Sequence, residues 1–292
     1  GSLAFARPRN DKKQLMLIDG RALAHDLNLH TKQRINKLPF RPLLVDIVVG
    51  EDPASLSYVK IKAQKAQEAG LVFELHQLSS QANTEEVIAK IEEISKRKEL
   101  GGLIIQLPLP VHLDTKRILN SIPERIDVDL LNSVSSEKFY NNESKLIPPT
   151  AGAITYILDS LPEDWLHKQF LVLGYGELVG KPTTYLLQQR GYRVAIADTS
   201  TDNVAKLISE ADCIISGIGK AGILTGQYLK NGVIIIDAGT SEAEGSITGD
   251  VDFDSAEPKS KYITPVPGGV GPVTVAKLLE NVITVAEQRN SV

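Results

Sequence analysis

The sequence predicts an α/β protein of two domains, each built on a parallel sheet. Three observations carry that expectation. Mostly apolar runs of four to seven residues, at 43–49, 103–107, 170–173 and 233–237, alternate with segments of helical periodicity, the pattern of strands buried on both faces. Glycine closes two of these runs, at Gly50 and Gly174, where a strand must hand over to a helix. The chain has 292 residues, enough for two cores. The domains are placed at 1–150 and 151–273.

Composition narrows the class. With 42% hydrophobic and 23% charged residues, the chain reads as globular. A formal net charge of −4 argues against general nucleic-acid or acidic-membrane binding. The basic run Lys96-Arg97-Lys98 ends a helical pattern, where cations complement the dipole. Cys213 is the only cysteine, which excludes an intrachain disulfide and predicts a buried thiol. The five histidines have no metal-ligand spacing, so no metal is expected. Neither a transmembrane-length apolar stretch nor a signal pattern is present. Gly1-Ser2 reads as a cloning remnant, and a cytoplasmic protein is expected.

Taken in order, residues 1–14 are polar and expected to be loose. A helix is predicted over 19–35 (Leu23, Leu27, Ile35), then the strand 43–49. Asp52-Pro53 supplies an N-cap and an N1 proline, and Gly70 a C-cap, for a helix ending at Ala69. That helix sets Ser55, Tyr58 and Lys62 on one face. After a strand at 72–78, Asn83 and Glu86 form a capping box for a helix that buries Val87, Ile91 and Ile94. The strand 103–107 carries Gln106 near its carboxyl end, where parallel sheets bind ligands. A satisfied structural amide and a site group are both open readings there. Asp127 and Asp129 fall in a loop and, alone, read as surface charge.

The second half turns on residues 170–182, FLVLGYGELVGKP. A strand ends at Gly174, and Gly176 and Gly180 follow before a helix. This is a loosened dinucleotide fingerprint, whose free N–H groups and helix dipole suit a phosphate. The strand 193–197 then ends at Asp198, placed to take ribose hydroxyls. The bland alternative is a tight turn with an incidental aspartate. A helix (203–209), a strand (213–216) and the turn Gly217-Ile218-Gly219-Lys220 come next. The strand 233–237 ends beside Thr240, residues 262–264 lead into a proline-glycine loop, and a helix is predicted over 274–288. The cofactor set is therefore Gly174, Tyr175, Gly176, Val179, Gly180, Asp198, Thr199, Gly217, Ile218, Gly219 and Thr240, for NAD or NADP.

Tyr58, Lys62, Gln106 and Asp129 are more specific together than apart. A lysine beside a tyrosine and an amide in a cleft can serve as an acid/base group; a surface Tyr–Lys pair is the alternative. With the segments 49–62, 101–110, 127–129, 219–222, 249–251 and 262–272 (YITPVPGGVGP), the chain resembles the bifunctional methylenetetrahydrofolate dehydrogenase/cyclohydrolase family over nearly its whole length. The resemblance implies an N-terminal folate-site domain, a Rossmann-type nucleotide domain and a cleft between them. It implies oxidation of 5,10-methylenetetrahydrofolate with hydride passing to NAD(P), then hydration to 10-formyltetrahydrofolate, in one-carbon metabolism and purine biosynthesis. Lys62 would exchange a proton with the attacking water, Gln106 would tune it, and Tyr58 would pack beside the pterin. Asp129 would accept the pterin N–H edge, and Pro267, Gly268 and Gly269 would line the substrate. The helix 274–292 would pack back on the first domain, and the chain would form a homodimer.

Four positions depart from the family pattern. Tyr175-Gly176 and Asp198-Thr199 stand where the family has arginine-serine and histidine-serine, pairs suited to a 2′-phosphate. Asp198 would repel that phosphate and accept a free ribose diol, so NAD preference is expected. Leu130 replaces a glycine after the pterin aspartate, and residues 147–152 (IPPTAG) differ from the family sequence near the folate pocket. Two other readings stand beside this: a dehydrogenase that has lost the cyclohydrolase, given the altered pocket, and a catalytically silent nucleotide- or folate-binding regulator that shares the fold.

Overall fold

The computed structural model describes residues 16–243 and 246–290. The loose segment expected over 1–14, with Gly1-Ser2, lies outside the described residues. The chain begins β1 (Met16–Leu17), α1 (Gly20–Ile35), β2 (Leu43–Val49), α2 (Pro53–Ala69), β3 (Val72–Leu78), α3 (Thr84–Ser95), β4 (Leu100–Ile105). It continues α4 (Thr115–Asn120), α5 (Ser133–Tyr140), α6 (Pro149–Ser160), β5 (Gln169–Leu173), α7 (Gly180–Gln189), β6 (Arg193–Ala197), α8 (Val204–Glu210). The last elements are β7 (Cys213–Ser216), β8 (Val233–Asp237), β9 (Ser241–Ala243), β10 (Ser246–Thr248), α9 (Phe253–Ala256), β11 (Ser260–Ile263) and α10 (Val270–Asn290).

Two compact units result, one of residues 26–149 with 275–290, the other of residues 16–25 with 150–274. In the first, a parallel sheet runs β3-β2-β4. All seven residues of β2 are buried. Its alternate residues Leu43, Val45, Ile47 and Val49 pack with Val87, Ile91 and Ile94 of α3 and with Ile118, Ile122 and Ile126. The period of two sends Leu44, Asp46 and Val48 to the opposite face. The caps set the helix lengths. Asp52 accepts from the Ser55 N–H at 2.8 Å, and Gly70 (φ 100°) ends α2 in the left-handed conformation. Asn83 and Glu86 form the reciprocal capping box of α3.

The other unit holds a parallel six-stranded sheet, β1-β11-β8-β7-β5-β6. Its strand order reverses between β5 and β7, so the loops after these strands flank the crevice where such sheets take ligands. Several boundaries differ from the sequence reading. The strand expected over 103–107 is β4, Leu100–Ile105, so Gln106 lies just beyond its end instead of within it. Met16–Leu17 pairs with β11, so residues 16–25 group with the nucleotide sheet, whereas the sequence reading placed them in the first domain; a two-residue edge strand has no periodicity to read. α10 begins at Val270, so the proline-glycine loop runs straight into its first turn. There Pro272 is tolerated because the N–H it lacks would have no intrahelical partner. The short helices α4, α5 and α9 and the β9–β10 pair were not read from sequence. Cys213 is buried and free, and burial pushes its thiol far up.

Candidate active site

Of the site residues expected from sequence, Tyr58, Lys62, Gln106 and Asp129 belong to the first unit, whereas Pro267, Gly268 and Gly269 belong to the other. Lys62, on the third turn of α2, is only 8% exposed as a side chain. Its Nζ donates to Gln106 Oε1 at 2.7 Å, and Gln106 Nε2 donates to the Leu107 carbonyl at 2.8 Å. Both ends of the amide are thus engaged, which fixes which end faces the lysine. Tyr58 lies one turn earlier and is half-buried; burial raises its phenol.

Sequence reasoning missed the second direct partner of Lys62. Asp46, fully buried in the middle of β2, forms an ion pair with Lys62 Nζ through Oδ2. The contact is charge against charge: neither Asp46 oxygen meets hydrogen-bond geometry with any described residue. The signal was a lone carboxylate in LLVDIVV, since an ionised group in such a strand needs a partner. Burial raises the Asp46 carboxyl, and Lys62 pulls it back.

Asp129 is half-buried, and its carboxylate accepts no hydrogen bond from a described residue. Burial pushes it up to about 7; the Lys62 charge opposes that, while Asp127 and Asp46 add to it. Asp127 is only 1% exposed, so the pair is not the surface charge it resembles when read alone. Asp127 clamps the loop instead, accepting from the N–H groups of Leu131 (3.2 Å) and Asn132 (2.9 Å). Asn281 of α10 holds the same loop, donating to the carbonyls of Val128 and Ile147 at 2.8 Å each. A Cβ on Gly102 would run into Val128 and Val282, so β4 needs glycine there for loop and helix to reach it. Leu130 adopts φ 57°, a left-handed conformation that favours glycine.

In the nucleotide unit, the glycines divide into two kinds. A Cβ on Gly174 would press on Gly217, one on Gly180 would overlap the Gly174 carbonyl, and one on Gly217 would strike Val179. These three lock the loops after β5 and β7 together. Gly176 and Gly219 face open space. The first turn of α7 begins at Val179 without a side-chain cap. Open room, bare backbone and an uncapped helix start suit a pyrophosphate, so the residues fit a dinucleotide. Tyr175, Thr199 and Thr240 are exposed, and Ile218 is half-buried in the second loop.

Asp198 follows β6. Its Oδ1 accepts from Ser200 N (2.9 Å), Ser200 Oγ (2.6 Å) and Thr201 Oγ1 (3.2 Å). The Ser200 hydroxyl and N–H hold it below the usual carboxylate range, so it is an anion at neutral pH. Thr199 is a central residue of that turn, which the Thr201 N–H closes on the Asp198 carbonyl at 3.1 Å.

Two buried aspartates shape the loop after β7, and neither was assigned a role from sequence. Asp250 Oδ2 accepts from Ser216 Oγ and Ile218 N at 2.7 Å each, and Oδ1 from Gly219 N and Lys220 N at 2.9 Å each. Asp237 accepts from the N–H groups of Gly239, Asp250 and Val251, and burial pushes it to about 6. The two segments interlock through glycine, since a Cβ on Gly239 would overlap Asp250 and one on Gly249 would overlap Asp237. Gly268 (φ 112°) lies under the Arg21 side chain, and a Cβ on Gly20 would overlap the Gly269 carbonyl. The start of α1 thus seats the loop carrying Pro267, Gly268 and Gly269.

Comparison with known proteins gives consistent matches. The family models described as tetrahydrofolate dehydrogenase/cyclohydrolase, catalytic domain, and its NAD(P)-binding domain match residues 18–129 and 148–290. A Nitrosospira multiformis protein named bifunctional protein FolD is 35% identical over 281 residues, covering 94% of this chain and 97% of the relative. The crystal structure of the bifunctional enzyme FolD, methylenetetrahydrofolate dehydrogenase/cyclohydrolase, from Campylobacter jejuni superposes with a TM-score of 0.89 at 34% identity, covering 94% of this chain and 99% of that one. The Trypanosoma brucei N5,N10-methylenetetrahydrofolate dehydrogenase-cyclohydrolase, solved with NADP cofactor and inhibitor, gives 0.89 at 29%, covering 94% and 98%.

Proposed function

The chain belongs to the tetrahydrofolate dehydrogenase/cyclohydrolase family, and from that premise we propose how its residues divide the work. It oxidises 5,10-methylenetetrahydrofolate to the methenyl form and hydrates that form to 10-formyltetrahydrofolate. The observation that carries the hydration step is the buried Lys62 amine, held 2.7 Å from Gln106. Lys62 takes a proton from the water that attacks the methenyl carbon and returns one to the departing ring nitrogen. Asp129, with its carboxylate unengaged, accepts the paired N–H donors of the pterin edge, and Tyr58 packs beside the ring. The retained Lys62–Gln106 contact speaks against a dehydrogenase without hydration, and no observation favours a silent regulator.

Hydride transfer needs no acid or base from the chain. When bound, the nicotinamide supplies the hydride acceptor. The chain contributes position: Gly176 and Gly219 leave room for the dinucleotide, Val179 and Gly180 present the helix start, and Asp250 fixes the backbone from Ile218 to Lys220. The family domain binds NAD(P). NAD is the preferred form in this reading, because an anion held at Asp198 repels a 2′-phosphate and accepts a free diol. A homodimer built through the nucleotide units follows the family resemblance, and a cytoplasmic location is the reading that composition supports. Light scattering at the mass of one chain would remove the first.

The test mixes the protein with methylenetetrahydrofolate and either NAD or NADP, following reduced nicotinamide and methenyl product separately. Reduced nicotinamide with little methenyl build-up, faster with NAD, is expected. Methenyl accumulation contradicts the hydration role, and no turnover with either cofactor contradicts the whole reading.

A further inference from the structure

The two activities leave Asp46 without a task. It is 0% exposed, lies in register with Leu75 and Ile104 on the flanking strands, and has Lys62 as its ion-pair partner. Nothing in β2 requires a carboxylate, since every other residue of the strand is aliphatic. A buried ionisable group is retained at a cost, and this one touches the amine that the hydration step uses.

We propose that Asp46 is the proton partner of Lys62, taking the ammonium proton so that a neutral amine meets the attacking water. The inference rests on the hydration reading above. A free lysine near pKa 10.4 holds only about one amine in 10³ unprotonated at neutral pH. Gln106 presents an oxygen to the amine but has no site for its proton. Asp46 does. Moving the proton turns a buried ion pair into two neutral groups and relieves the desolvation of both. The raised Asp46 carboxyl agrees with this. Among the other titratable groups, Asp129 on the loop feels the charge of both members of the pair, Asp127 acts on Asp129, and Tyr58 lies one turn before Lys62 on α2.

The steps balance. The Lys62 N–H bond breaks and an Asp46 O–H bond forms, leaving the pair uncharged. The water oxygen bonds to the methenyl carbon, one water proton passes to Lys62, and the substrate cation is neutralised. The bond from that carbon to N5 then breaks as Lys62 protonates N5. The remaining hydroxyl proton returns through the pair to solvent, the single proton that hydration of the cation releases.

The test is the pH dependence of hydration kcat in Asp46→Asn, with saturating methenyl substrate and the spontaneous rate subtracted. Saturation keeps Asp129 engaged with substrate, so its titration does not intrude. We expect a loss on the order of 10²-fold at neutral pH, recovered as pH rises toward the lysine range, about 9 to 10. Hydride transfer in the same preparation reports folding and folate binding. An active Asp46→Asn whose hydration is undiminished, or is reduced with an unshifted profile, overturns the proposal. Asp46→Ser is read the same way should Asp46→Asn fail to fold. In the parent protein, a rising limb of kcat in the lysine range also overturns it. A parent that oxidises the folate but never hydrates it removes the hydration reading as well, whereas an unshifted profile in an active variant falls on Asp46 alone.

Discussion

Lys62 donates to Gln106 across 44 residues of sequence, at 2.7 Å. The contact joins the third turn of α2 to the end of β4, and it places a buried amine beside a half-buried carboxyl, Asp129, and a buried one, Asp46. In the proposed mechanism, hydration depends on how those three groups share protons.

Asp129 sets a pH dependence. Its folded value of about 7 lies above the ordinary 3.9 or so of an unfolded chain. A carboxyl raised by folding contributes stability that is complete below about pH 4 and lost as pH rises through about 7. Asp129→Asn should therefore be more stable than the parent above neutrality, by about 1–3 kcal/mol after relaxation, with no gain near pH 4. The same variant should bind folate at least tenfold more weakly. Denaturant melts at the two pH values, with folate titrations, check both; equal stability at high pH would contradict the assignment.

Leu130 tests the loop behind it. Replacing it by glycine relieves a left-handed residue, worth about 1–2 kcal/mol. It also empties a site where the side chain is 4% exposed, and loss of a buried leucine costs about 2–5 kcal/mol. Burial wins, so Leu130→Gly should destabilise the protein by about 1–3 kcal/mol in denaturant melts. A stabilised variant would mean that strain dominates.

Asp250 tests the cofactor loop. Its two oxygens receive four donors; an asparagine offers one acceptor oxygen and an NH₂ that faces N–H groups. Asp250→Asn should lose about 2–4 kcal/mol of stability and raise the KM for the nicotinamide cofactor several-fold. Hydration of added methenyl substrate should fall far less. Parallel losses in both activities would show a general unfolding instead.

Asp198 tests cofactor choice. Asp198→Asn keeps an acceptor for Ser200 and Thr201 but removes the charge. The NADP/NAD ratio of kcat/KM should rise about tenfold, the scale of losing one exposed like-charge contact, and the change should shrink at high salt. An unchanged ratio removes Asp198 from cofactor selection.

What could be read from sequence was local. Asp52-Pro53 and Gly70 bound α2, Asn83 and Glu86 start α3, and the apolar run 43–49 is β2, because each signal acts within a turn or a strand. The glycine turn and the Tyr58–Lys62 face were legible for the same reason. The remainder depends on distant partners. Asp46 meets Lys62 only when α2 covers the second face of β2, and Asn281 reaches Val128 across 153 residues. Asp127 and Asp250 look like loop charge until their burial and N–H partners are known. β1 is set by pairing with β11, which its two residues cannot announce.

The most direct test replaces Lys62 by methionine, which keeps an unbranched side chain, one atom shorter, and removes the amine. Hydration of methenyltetrahydrofolate should be abolished, by at least about 10²-fold, while hydride transfer to NAD persists and methenyl product accumulates. Undiminished hydration in a variant that still oxidises its substrate would contradict the account, because no other residue beside Gln106 is given that proton.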